Sequence, residues 1–160
     1  MAAMILVALG VLILDQLSKV WILTNFAVGE ARAFIPGVLQ LRYVQNTGMA
    51  FSFLVDHQWV PMVLTPLLLA FLGVCLARGL FPCKIQRLAL AAVMAGGLSN
   101  WIDRVVHGFV VDMLEPVFMR FAVFNIADCF ITVGGIVLLI TLFVTELGKK
   151  KERPAESGDE

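Results

Sequence analysis

Two carboxylates in this chain, Asp112 and Asp128, have the setting in which acid–base chemistry without a metal becomes possible. Asp112 closes the run N-W-I-D-R-V-V-H-G-F-V-V-D and Asp128 closes F-N-I-A-D. Both lie beside strongly apolar stretches, together with Asn100, Asp103, Arg104 and Asn125. Two close carboxylates resist joint ionisation and can share one proton. One can then act as base on a water and the other as acid on the carbonyl oxygen or leaving amine. Such a pair suits peptide hydrolysis and needs neither metal nor cofactor. Its titration belongs to the pair and not to either residue.

Other chemistry has weaker support. His57 and His107 are isolated, so a zinc site is not expected. Cys75 and Cys129 lie in apolar runs and Cys83 in a basic loop, without C-x-x-C spacing. Ser18 or Ser99 with Lys19 would be a Ser-Lys arrangement, but Ser18 adjoins Lys19 and points to another helical face. The chain is formally neutral, which gives no reason to expect a nucleic-acid partner.

The elements that position these residues are membrane spans. The 160 residues are 60% apolar, above the share of an ordinary soluble domain. One domain is expected over 1–148, all-α, with four spans near 4–23, 60–80, 86–102 and 124–147. The first span carries no leading Lys or Arg, is interrupted by Asp15, Gln16 and Lys19, and has no A-x-A-like site after it. It reads as a permanent helix and not as a cleaved signal. Asp15 and Lys19 fall four apart on one face, acid before base. Charges in a span cost enough to make a site or a partner the first suspicion. The alternative is a lysine that snorkels to the interface.

Residues 25–58 do not span. Pro36-Gly37 signals a turn, and 38–44 alternates like a strand, with Leu39, Leu41 and Tyr43 on one face. Asn46-Thr47-Gly48 ends it with turn chemistry, and residues 50–54 suit an interfacial segment. Trp59 is placed as an interfacial anchor, and Pro66 is expected to kink the second span. Gly96 and Gly97 read as helix-packing residues. The segment from His107 to Leu114 favours extended backbone. Residues 149–160 read as a tail, basic then acidic and disordered.

Arg78, Lys84, Arg87, Lys149, Lys150, Lys151 and Arg153 fall on the side of both termini, which the positive-inside rule assigns to the cytoplasm. Asp15, Lys19, Asn100, Asp103, Arg104, Asp112, Asn125 and Asp128 then converge near the external interface. Convergence from several helices marks a site. Each residue also has a plainer reading. Asp103-Arg104 is expected to be an ion pair bracing the loop that carries Asp112. Asn46 can be a turn residue, Asp112 a loop carboxylate, and Asp128 a helix-start residue. On residues alone three classes stay open: a two-Asp peptidase, a proton- or cation-translocating bundle using Asp15, Lys19 and Asp128, and a structural membrane protein. The bundle would need ionisable groups through the membrane depth, and the inner halves of the spans lack them apart from Glu146.

The motifs taken together resemble the lipoprotein signal peptidases (signal peptidase II) of bacteria. D-Q-L-S-K at 15–19, the N-x-G-x-x-F block at Asn46, Gly48 and Phe51, the block ending at Asp112 and the block ending at Asp128 occur in order. The resemblance implies an intramembrane aspartyl endopeptidase of the inner membrane with Asp112 and Asp128 as its dyad. It implies that Asp15, Lys19, Asn46, Gly48, Asn100, Asp103, Arg104, Asn125 and Ala127 line or support the site. The implied substrates are diacylglyceryl-modified prolipoproteins, cut before the lipidated Cys. Contact with membrane lipids, inhibition by globomycin-type compounds, an external β-like cradle and no cofactor also follow from the resemblance. The chain departs from the family pattern in A-G-G-L-S-N at 95–100, at Met113 and at Met49.

Overall fold

The computed structural model describes residues 1–48 and 59–152. The expected interfacial segment at 50–54, Met49, Phe51, His57 and residues 153–160 of the expected tail lie outside the described residues. The first residues of that tail, 149–152, are not disordered but continue α4 to Glu152. The element order is α1 (Ala2–Asn25), β1 (Ala31–Ile35), β2 (Leu39–Asn46), α2 (Trp59–Ala77), α3 (Lys84–His107), β3 (Val110–Pro116) and α4 (Ile126–Glu152). α1, α3 and α4 hold no proline, and Pro61 of α2 falls in its first turn, where the missing N–H costs nothing. Pro66 lies inside α2, and α3 stops at Gly108, whose φ of +80° is a left-handed cap.

Among the described residues, three helices are long and apolar enough to cross a membrane: Ala2–Asn25, Trp59–Ala77 and Ile126–Leu147. Their outward faces are apolar, for example Leu6, Leu17, Leu67 and Phe143. α3 differs. It packs against α1, α2 and α4 and holds most of the buried helical residues, including Gln86, Ser99, Asn100 and Asp103. Wrapped by protein, its polar groups find protein partners, so it needs less apolar surface.

Small residues let α3 and α4 approach closely. A Cβ on Gly96 would stand 2.8 Å from the carbonyl oxygen of Ala127, and one on Gly134 would stand 2.9 Å from Val93. Among the described residues a Cβ on Gly97 would meet only Leu69, at an ordinary 3.5 Å. The packing role expected for both Gly96 and Gly97 therefore falls chiefly on Gly96.

The three strands form one antiparallel sheet, β1-β2-β3. The strand expected at 38–44 is β2, and the extended segment expected from His107 is β3, which starts at Val110 because His107 completes α3. β1, A-R-A-F-I, carries no burial pattern of its own and is fixed by pairing with β2. Register shifts between Leu41 and Val44, where Tyr43 turns its backbone to Gly29 and Glu30 instead. Beyond this bulge Val44 faces Asp112 and Asn46 faces Val110. Ile22, Phe26, Tyr43, Val111 and Met113 then form one core under the sheet, which anchors it to the end of α1. Phe124 bridges back to Leu114, so α4 starts beside β3.

Candidate active site

Asp112 sits in β3, one position past the buried Val111. Strand alternation turns its side chain away from that core and toward α4. Its carboxylate accepts the amide Nδ2 of Asn46 at 2.7 Å on Oδ2 and that of Asn125 at 2.8 Å on Oδ1. The group is 1% exposed. Burial pushes its carboxyl up to about 6; the bond from Asn46 opposes this, the charge of Asp128 adds to it, and Asn125 and Lys19 oppose it.

Asp128 occupies the first turn of α4, where four backbone N–H groups lack helical partners. Asn125 precedes the helix and caps it. Its Oδ1 accepts the N–H of Asp128 at 2.9 Å, while Oδ2 of Asp128 accepts the N–H of Asn125 at 3.3 Å. This is a reciprocal capping box. It moves the helix start to Ile126, two residues later than expected. The helix-start reading of Asp128 is therefore true and does not exhaust its role. Its other oxygen, Oδ1, accepts Nδ2 of Asn100 at 2.8 Å. Asp112 and Asp128 are linked through Asn125, which touches both.

Behind the pair lies a buried ionic cluster. Lys19, 1% exposed, contacts Asp15 at 2.7 Å and Asp103 at 2.9 Å and donates to Oδ1 of Asn100 at 2.8 Å. It does not snorkel. Asp15 also accepts the hydroxyl of Ser99 and the backbone N–H of Ala127, both at 2.7 Å. Ala127 thus contributes its backbone, and its small side chain suits the close approach at Gly96.

The expected Asp103–Arg104 ion pair is not formed. Consecutive helical residues diverge by about 100°, so they do not face each other. Asp103 turns inward to Lys19 and accepts the backbone N–H of Val111 at 3.0 Å. Bracing of the segment that carries Asp112 is thus real, but Asp103 does it from its own side. Arg104 donates to the carbonyl of Asn100 at 3.1 Å and lies in the field of Asp128, Asp112 and Asp103. A small cleft of about 40 Å³ opens beside it, lined by Asn46, Thr47, Pro61, Met62, Arg104 and Gly108.

Gln16, marked in the sequence only as an interruption of the first span, is a further supporting residue. Its Nε2 donates to the hydroxyl of Ser99 at 2.8 Å and to Asp103 at 3.0 Å, tying α1 to α3. Its place between Asp15 and Lys19, inside an otherwise apolar helix, was the available signal. Ser99 gives its proton to a carboxylate and Lys19 gives its own to three acceptors. Neither fits a Ser-Lys nucleophile.

Long apolar helices around buried, hydrogen-bonded carboxylates define a small integral membrane protein with an enzyme-like polar centre. The family model described as Signal peptidase (SPase) II matches residues 7–144. Lipoprotein signal peptidases of Streptococcus pyogenes serotype M2 (strain MGAS10270) and serotype M1 are each 45% identical over 133 residues, 83% of this chain and 88% of theirs. A bacterial membrane enzyme structure determined by the in meso method at 2.3 Å resolution matches with a TM-score of 0.87 and 31% identity, over 98% of this chain and 96% of the other. A second, at 1.9 Å resolution, matches with a TM-score of 0.82 and 32% identity, over 89% and 93%. The chain belongs to the signal peptidase II family. Membership makes it a membrane peptidase that removes signal peptides from prolipoproteins.

Proposed function

We propose that the chain is an aspartyl endopeptidase in which Asp112 and Asp128 activate a water between them. The supporting observation is their shared partner: Asn125 donates to Asp112 and accepts the N–H of Asp128. Residues from a strand and a helix are so held in one constellation, which is the preorganisation that general acid–base catalysis requires. Burial raises the Asp112 carboxyl to about 6, which lets it hold a proton closer to neutrality, as general acid–base work requires. Arg104, at the cleft, is placed to meet substrate backbone or developing negative charge. Asp15, Lys19, Asn46, Gly48, Asn100, Asp103, Asn125 and Ala127 hold the pair in place.

The substrates are diacylglyceryl-modified prolipoproteins, cut immediately before the lipidated Cys. α3 crosses the bilayer as a fourth span within a single peptidase domain. The positive-inside rule puts both termini in the cytoplasm and the site near the external face of the bacterial inner membrane. Globomycin-type compounds would compete for the same cleft.

The test is incubation of purified protein with lipidated and unlipidated prolipoprotein. Cleavage of the lipidated form alone is expected. Asp112→Asn and Asp128→Asn should each abolish it while the protein stays folded. Near-wild-type cleavage by either variant would remove the dyad.

A further inference from the structure

An amide side chain can rotate its oxygen and nitrogen into each other's place, and only its neighbours decide which faces where. At Asn125 the decision belongs to the backbone: the N–H of Asp128 takes Oδ1, so Nδ2 must face Asp112 and Asn100. At Asn46 the N–H of Gly48 takes Oδ1 at 2.8 Å, so Nδ2 faces Asp112. Among the described residues, Asn100 has no such backbone donor on its side chain. Its Oδ1 receives Lys19 at 2.8 Å and Nδ2 of Asn125 at 3.1 Å, and its Nδ2 donates to Asp128 at 2.8 Å.

We propose that Lys19 is a positioning residue for Asp128, acting through the Asn100 amide, whose NH2 it holds toward the carboxylate. This rests on the reading of Asp112 and Asp128 as the reacting pair. Turned the other way, Asn100 would set its NH2 against an ammonium and a second NH2, and its oxygen against a carboxylate. Charged hydrogen bonds are the strong ones, and the amide makes two of them, from the Lys19 ammonium and to the Asp128 carboxylate. Lys19 therefore supplies a share of this preference comparable to that of the carboxylate it serves. The ammonium makes no hydrogen bond to Asp112 or Asp128; its contacts are Asp15, Asp103 and Asn100. Asp15 and Asp103 fix the lysine, and the lysine fixes the amide. The cluster thus passes a direction, and not a proton, to the site.

A double-mutant cycle separates this role from general support of the fold. Single-turnover cleavage of lipidated prolipoprotein is measured for wild type, Lys19→Met, Asn100→Ala and the double variant. Lys19→Met should lower the rate constant about tenfold in the wild-type background, as loss of one charged hydrogen bond does. In the Asn100→Ala background the same change should cost less than about twofold, because the amide it orients is gone. Equal losses in both backgrounds would show that Lys19 only supports the fold and would overturn the proposal. So would full activity of Asn100→Ala. Should Lys19→Met fail to accumulate, the cycle is run with Asp15→Asn in all four proteins, which balances the buried charge. Failure of wild type to cleave the substrate is a different outcome: it removes the dyad reading itself, and this inference with it.

Discussion

Oδ1 of Asp15 accepts the backbone N–H of Ala127 at 2.7 Å, across 112 residues of chain. The first helix therefore caps the last one, one residue before Asp128. A negative charge at that point satisfies an orphan N–H and complements the positive end of the α4 dipole. The same carboxylate holds Lys19 and Ser99. Asp15 thus couples the assembly of α1, α3 and α4 to the placement of Asp128, one of the two carboxylates proposed to react.

Removal of that carboxylate should cost stability as well as activity. Asp15→Ala leaves a buried N–H without its acceptor and Lys19 with only one carboxylate. The expected loss is about 3 kcal/mol. Asp15→Asn keeps an oxygen for Ala127 and should lose less. Thermal unfolding of both variants in detergent checks the order. An Asp15→Ala protein as stable as wild type would show that the cap carries no weight.

The polar residues of the buried cluster are legible because a bilayer makes each of them costly, and their agreement in depth follows from the span pattern. Their pairing was less legible. Asp103 and Arg104 are neighbours in sequence and diverge on the helix, whereas Asp103 and Lys19 meet only once α1 packs on α3. β1 was silent for a related reason: its five residues are all exposed, and only the ladder to β2 makes them a strand. Gln16 lacked a charge, so nothing marked it apart from its position. The polar start of α3 is not legible as helix from hydropathy, because the acceptor for the Gln86 amide, Thr145, lies on α4.

The raised carboxyl of Asp112 has a consequence for stability with a definite sign. Burial favours the neutral acid, so the folded value, about 6, lies above the unfolded one. The resulting contribution is fully present below the unfolded value, near pH 4. It is lost as pH rises through about 6. Asp112→Asn lacks this titration. The thermal midpoint of wild type should therefore fall relative to Asp112→Asn between pH 4.5 and pH 7.5. A difference that stays constant over this range would place the Asp112 titration elsewhere.

Close approach at Gly96 should be equally specific. Its absent Cβ would stand 2.8 Å from the carbonyl oxygen of Ala127, which is backbone and cannot swing aside. Gly96→Ala must push α3 from α4, at about 1–3 kcal/mol. It should also weaken the contact between Asp15 and Ala127. Gly97→Ala meets Leu69 at 3.5 Å and should be tolerated. Cleavage rates and unfolding midpoints of the two variants, compared side by side, test the distinction.

Gly48 offers the cleanest separation of catalysis from stability. Its φ of +101° lies in a region that side-chain-bearing residues rarely adopt, and its N–H fixes the Asn46 amide that donates to Asp112. Among the described residues a Cβ there would meet nothing within 4 Å, so the conflict lies in the backbone conformation. Gly48→Val must therefore relax the turn and turn the N–H away, at a local cost of about 1–2 kcal/mol. The helices are untouched, so the unfolding midpoint should fall by no more than a few degrees. The turnover rate should fall by about tenfold, as one donor to Asp112 loses its fixed direction. A variant that loses stability and keeps its rate would mean that the turn serves the sheet and not the carboxylate.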